Sequence, residues 1–95
     1  MLISDFLDAT VGMDETFILT QKNDEQLVFS GKIIEITSEK IIIGPAQHEI
    51  HLGTLIYKLK KSPANLQLYI QKVEHSLVTP LFGFKLEPST LIFTT

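Results

Sequence analysis

Between Leu27 and Ile36 the chain changes phase. Leu27 and Phe29 alternate with their neighbours in one register, Ile34 and Ile36 belong to the opposite register, and Gly31 lies between them. Successive side chains of a β-strand point to opposite faces, so a period-2 pattern that slips must bulge or bend where it slips. Glycine admits such a bend, and one long strand bent near its middle can serve both sides of a small barrel. This segment therefore points to a strongly curved sheet.

The remaining pattern agrees. Ile, Val and Thr supply 25 of the 95 residues, most of them beyond Thr16, and their branched side chains favour strands. The spacing predicts strands over 16–21 and 27–36, joined by the polar turn Lys22-Asn23-Asp24-Glu25. Ile41-Ile42-Ile43 reads as a continuous apolar strand stopped by Gly44-Pro45. Leu55, Tyr57 and Leu59 alternate with Ile56, Lys58 and Lys60, and Leu66, Leu68 and Ile70 alternate with Gln67, Tyr69 and Gln71; with 61–65 as the turn they predict a hairpin. A last pair of strands is expected over 81–86 and 91–93. Before all of these, Leu2, Ile3, Phe6 and Leu7 recur at helical spacing, with Ser4 as the expected N-cap and Gly12 as the stop. The expected fold is a single domain over 1–95 of α+β class, mostly β. A short N-terminal helix is followed by a strongly bent antiparallel sheet or small β-barrel of about seven short strands.

Several chemistries are absent from this residue set. Without Cys there is no disulfide frame, thiolate nucleophile or Cys-ligated metal. The five glycines form no phosphate-cradling motif, and no serine lies in a nucleophile elbow. Asp5 and Asp8, at helical i, i+3 spacing, read as solubilising charges. No catalytic residue and no cofactor are expected, so the chain reads as a binding protein rather than an enzyme. Apolar runs are too short for a membrane-spanning helix, and Asp5 and Asp8 stand where a signal peptide would need basic residues. These features point to a cytoplasmic protein with no membrane partner. His48-Glu49-Ile50-His51 would place Glu49 and His51 on one strand face, with His75 as a third candidate metal ligand. The pair lacks the helical i, i+4 spacing of a zinc protease helix, solvated strand residues are the simpler explanation, and no metal is expected.

Charge divides the chain unevenly. The net charge is -3, yet residues 1–49 hold nine acids and three Lys, while residues 50–95 hold five Lys and two acids. Asp14, Glu15, Asp24 and Glu25 form an expected acidic face for a basic partner or a second copy. Lys58, Lys60, Lys61 and Lys72, with Tyr69 beside them, form an expected basic and stacking face able to follow a single nucleic-acid strand. Arg, the preferred residue for bidentate contacts to bases and phosphates, is missing, which makes nucleic acid the lesser partner. Leu91-Ile92-Phe93, near the end of the chain and without charged neighbours, is expected to be an edge strand available for β-augmentation.

Two family resemblances follow from these segments. The order helix, strand, polar turn, then Leu27 to Ile36 and Ile41-Ile42-Ile43, resembles the first half of an Sm-like fold over residues 2–43. That family has an N-terminal helix and a bent second strand with a central Gly. The second half lacks its Ile-Arg-Gly-type RNA-binding loop, so no RNA-binding residue carries over. Ile3-Ser4-Asp5-Phe6-Leu7, Phe29-Ser30-Gly31-Lys32 and the Leu59–Ile70 region also resemble small uncharacterised proteins of Gram-positive phages and mobile elements. The latter resemblance implies a cytoplasmic accessory or inhibitor protein that acts by binding. The expected function is thus non-enzymatic protein–protein association, with a homo-oligomer as one form of it. RNA or single-stranded DNA binding through the Lys-rich face is one alternative. An oligomer holding a small ligand such as a nucleotide between subunits is the other.

Overall fold

The computed structural model describes residues 1–95, the side chain of His75 excepted. Its elements are α1 (Ile3–Ala9), β1 (Ile18–Asn23), β2 (Gln26–Ile36), β3 (Lys40–Pro45), α2 (Leu52–Leu59), β4 (Gln67–Gln71), β5 (Val78–Pro80), β6 (Gly83–Glu87) and β7 (Thr90–Thr94), with a 3-10 turn at Glu74–Ser76. The seven strands form one sheet in the order β5-β4-β3-β2-β1-β7-β6. The β3–β4 and β1–β7 pairs are parallel and the other neighbours antiparallel. The class is α+β, mostly β, with a short N-terminal helix and a bent sheet of seven strands. The sheet is mixed rather than antiparallel as expected, because the α2 crossover makes β3 and β4 parallel and the chain's last strand joins β1 in parallel.

The bend at Gly31 organises the sheet. Residues 26–29 of β2 pair with β1, whereas Ser30 to Ile36 pair with β3. The register shifts between Ser30 and Lys32, and Gly31 there has φ +106°. A Cβ at this position would stand 2.7 Å from Leu19 Cδ1 and 3.3 Å from Ile50 Cγ2, so both the backbone and the packing require glycine. Polar side chains tie the bend from inside. Gln21 Nε2 donates to Ser30 Oγ at 3.1 Å and to the Gln71 carbonyl at 3.2 Å, and Ser30 Oγ donates to the Gly44 carbonyl at 3.1 Å. These bonds link β1, β2, β3 and β4 through two buried residues.

The sheet curls so far that its two ends meet at a corner. The Leu81 N–H donates to the Leu68 carbonyl of β4, and the next N–H, from Phe82, donates to the Thr94 carbonyl of β7, each at 2.9 Å. Both helices pack on the inner face. Ile3 and Phe6 of α1, with Leu52, Leu55 and Leu59 of α2, join Leu19, Ile41, Ile43, Leu68, Ile70, Leu91 and Phe93 from alternate strand positions. Among the described residues no helix is long and apolar enough to cross a membrane.

Three local expectations are corrected. Residues 52–59 are a helix, not the first strand of a hairpin. Leu52, Leu55 and Leu59 are buried at i, i+3 and i+7 while Tyr57 is exposed. Leu55-Tyr57-Leu59 satisfies a period of two only because residues four apart also share a helix face. Since β3 and β4 are parallel, they need a crossover, which α2 provides. The N-cap of α1 is Leu2 rather than Ser4, because the Ile3 and Ser4 N–H groups donate to the Leu66 and Ala64 carbonyls, at 2.9 and 3.0 Å. Finally, β7 is not an edge. It lies between β1 and β6, and Leu91, Ile92 and Phe93 are buried.

Candidate functional site

The free edges belong to β5 and β6, and they differ in what they offer. On β7, the Ile18 N–H donating to the Ser89 carbonyl at 2.9 Å fixes the parallel ladder so that Leu91 and Phe93 turn their backbone toward β1. Thr90, Ile92 and Thr94 therefore turn toward β6, where they oppose Glu87, Lys85 and Gly83. The backbone N–H and C=O groups of Phe84 and Leu86 then point outward, with no partner among the described residues. Their side chains lie on the core side. Phe84 meets Phe6 edge to face, with ring centroids 5.8 Å apart, while Leu86 stays 47% exposed. Phe82, at the corner where the edge begins, is 83% exposed. Lys85 and Glu87 project together from the opposite face, exposed and without an ion-pair partner among the described residues.

On β5 the same reasoning, from Lys72 N–H to the Leu77 carbonyl and Leu81 N–H to the Leu68 carbonyl, leaves Val78 and Pro80 facing outward. Pro80 has no N–H, and the strand is three residues long. Short strands and proline are how natural sheets blunt an edge. The β6 edge is five residues long and has no proline within it, and its guard is charge alone, from Lys85 and Glu87 on the outer face.

The residues singled out from sequence fall elsewhere and do not form the expected faces. Asp14 and Glu15 precede β1, whereas Asp24 and Glu25 form the turn after it, so the strand length of roughly 17 Å separates them. Two hydrogen bonds from Thr16, its hydroxyl at 2.7 Å and its N–H at 2.9 Å, hold the Asp14 carboxyl below the ordinary aspartate value. Asp24 shares a cleft with Lys22 and Lys72, so the charges there are mixed. Lys58, Lys60 and Lys61 are carried by the end of α2, where helical rather than strand geometry splits Lys58 from Lys60. Lys61 Nζ sits 4.0 Å from the ring centroid of Tyr57, and Lys60 lines a second cleft with Asp8 and Glu15. Tyr69 lies on β4 under Lys40 Nζ, at 5.1 Å. No single Lys and Tyr surface results.

His48, Glu49 and His51 occupy the segment leading into α2. His51 Nε2 and Glu49 Oε2 are 3.9 Å apart and half exposed. The described residues contain no group of three that could hold a metal ion, and the side chain of His75 lies outside the described residues. Phe82, Phe84, Lys85, Leu86 and Glu87 were not singled out by the sequence. The available signal was the contrast between Leu91-Ile92-Phe93, a continuous apolar run of the kind buried on both faces, and the interrupted alternation of residues 82–87. Comparison with protein-family models, curated proteins and solved structures finds no match to this chain.

Proposed function

We propose that this chain is a non-enzymatic protein-binding module acting by protein–protein association at the β6 edge. The observation that carries this reading is the exposure of Phe82, the most exposed aromatic side chain, beside a strand whose outer backbone groups have no partner. An incoming strand would satisfy Phe84 and Leu86 by main-chain hydrogen bonds and cover Phe82 and Leu86 by apolar contact, which is β-augmentation. Large apolar side chains at an unpaired edge favour aggregation unless a specific partner covers them. The resemblance of residues 3–7 and 29–32 to small phage and mobile-element proteins supports a cytoplasmic accessory or inhibitor role. The nucleic-acid alternative loses support because Lys58, Lys60, Lys61, Lys72 and Tyr69 are dispersed over different elements.

The test compares the immobilised native chain with a Phe82→Asp variant of unchanged circular dichroism, both offered the soluble proteins of the native host. The expected result is a defined protein retained by the native chain and lost from the variant. Retention of nothing, or equal retention by both, overturns the reading. Salt-sensitive oligonucleotide binding that weakens on Lys58→Glu but not on Phe82→Asp would assign the function to nucleic acid instead.

A further inference from the structure

We infer that β6 pairs antiparallel with β6 of a second copy of this chain, about a two-fold axis passing through Leu86. The inference rests on the reading of the β6 edge as an association surface and names its partner. Only outward-facing residues can exchange hydrogen bonds across such an axis, and on β6 these are Phe84 and Leu86. Three self-complementary registers are therefore available, centred on Phe84, Lys85 or Leu86. With the axis at Phe84, Lys85 opposes Gly83 and Leu86 opposes Phe82, whose N–H is already given to the Thr94 carbonyl, so that register forms no charge pair.

Charge chooses between them. With the axis at Lys85, the two Lys85 side chains face each other directly, which is destabilising. With the axis at Leu86, the two Leu86 residues exchange both main-chain bonds and meet on the core side. On the outer face Lys85 then opposes Glu87 of the second copy, and the symmetry makes this pair twice. Lys85 and Glu87 are exposed, side by side on one face, and without an ion pair of their own among the described residues, so they are free to make these contacts. The ladder is short, because Pro88, which lacks an N–H, stands opposite Phe84. The assembly is accordingly a concentration-dependent dimer rather than a permanent one. The other edge cannot replace it, because Pro80 is one of the only two outward-facing residues of β5.

The purified full chain tests this directly by sedimentation across a concentration series and by single-cysteine cross-linking, which is clean because the chain has no native Cys. Leu86→Cys is expected to form an intermolecular disulfide on mild oxidation, since paired residues lie about 5.5 Å apart at Cα. Lys85→Cys is expected not to, because in this register the two positions are offset by two residues and stand beyond disulfide reach. Lys85→Glu and Glu87→Lys should each raise the dimer dissociation constant roughly tenfold, by turning two attractive pairs into two repulsive ones. The double reversal Lys85→Glu with Glu87→Lys should restore it. A monomer at every concentration, cross-linking through position 85 in place of 86, or failure of the double reversal to restore the dimer would each overturn the inference. If the chain is monomeric yet still captures a host protein in a Phe82-dependent way, the association reading stands and the self-pairing fails.

Discussion

β2 and the β5–β6 segment both carry the chain from one half of the sheet to the other. β2 stays continuous, bends at Gly31 and is tied from inside by Gln21 and Ser30. The β5–β6 segment breaks instead. Leu81, 1% exposed, bonds to β4, while Phe82, 83% exposed, bonds to β7. One crossing is interior and filled; the other leaves two free strand edges and an aromatic ring in solvent. A bend inside the sheet serves the fold, whereas a break at its margin leaves backbone groups unpaired for a partner. Four substitutions test whether this division of roles holds.

The largest effect is expected at the continuous bend. Gly31→Ala adds a Cβ 2.7 Å from Leu19 Cδ1 in a backbone conformation, φ +106°, that L-residues rarely adopt. Strain and overpacking each contribute about 1–3 kcal/mol, so urea unfolding should show a loss of about 4 kcal/mol. For a domain with about 5–14 kcal/mol of total stability, that is enough to approach unfolding at ambient temperature. A loss below about 1 kcal/mol would mean that the bend relaxes freely and does not define the curl. At the broken crossing, Leu81→Ala removes a fully packed side chain from the same core and should cost about 3 kcal/mol. If this substitution were silent, the corner would be a passive connection rather than part of the packed domain.

Gly31 was legible because its effect is local: a slipped alternation and a glycine are both visible within ten residues. The sheet order was not, because the parallel pairing of β1 with β7 joins residues about seventy positions apart and leaves no local pattern. That pairing made β7 central and β6 the edge, which moved the exposed apolar surface from Leu91-Ile92-Phe93 to Phe82 and Leu86. The helix α2 was hidden for a different reason. Leu55, Tyr57 and Leu59 fit both periods, and only the burial of Leu52 with Leu55 and Leu59 separates them. Charge was legible along the chain but not in space, since Asp14-Glu15 and Asp24-Glu25 stand at opposite ends of one strand.

A smaller effect is expected where polar side chains join the halves. Gln21→Leu removes the donor to the Gln71 carbonyl and to Ser30 Oγ, but also removes the Gln21 Oε1 atom, which is buried without a partner. Losing the bonds costs more than relieving that one atom returns, giving a net loss of about 1 kcal/mol in urea unfolding. A gain in stability would show that the apolar packing of the two halves suffices without the polar tie.

The smallest effect on stability, and the one that separates the two crossings most sharply, is expected at Phe82. Its ring is 83% exposed, so Phe82→Ser removes little buried area and leaves the N–H bond to the Thr94 carbonyl in place. Urea unfolding should therefore change by no more than about 0.5 kcal/mol. A loss of 2 kcal/mol or more, on the order of a deleted core side chain, would show that the ring packs into the fold, and the break would then be structural like the bend. With stability unchanged, the same variant should retain less of any host protein that the native chain captures and show less nonspecific aggregation in light scattering, because it removes an apolar group from an unpaired edge. A side chain that the fold does not need and association does is what distinguishes the broken crossing from the continuous one.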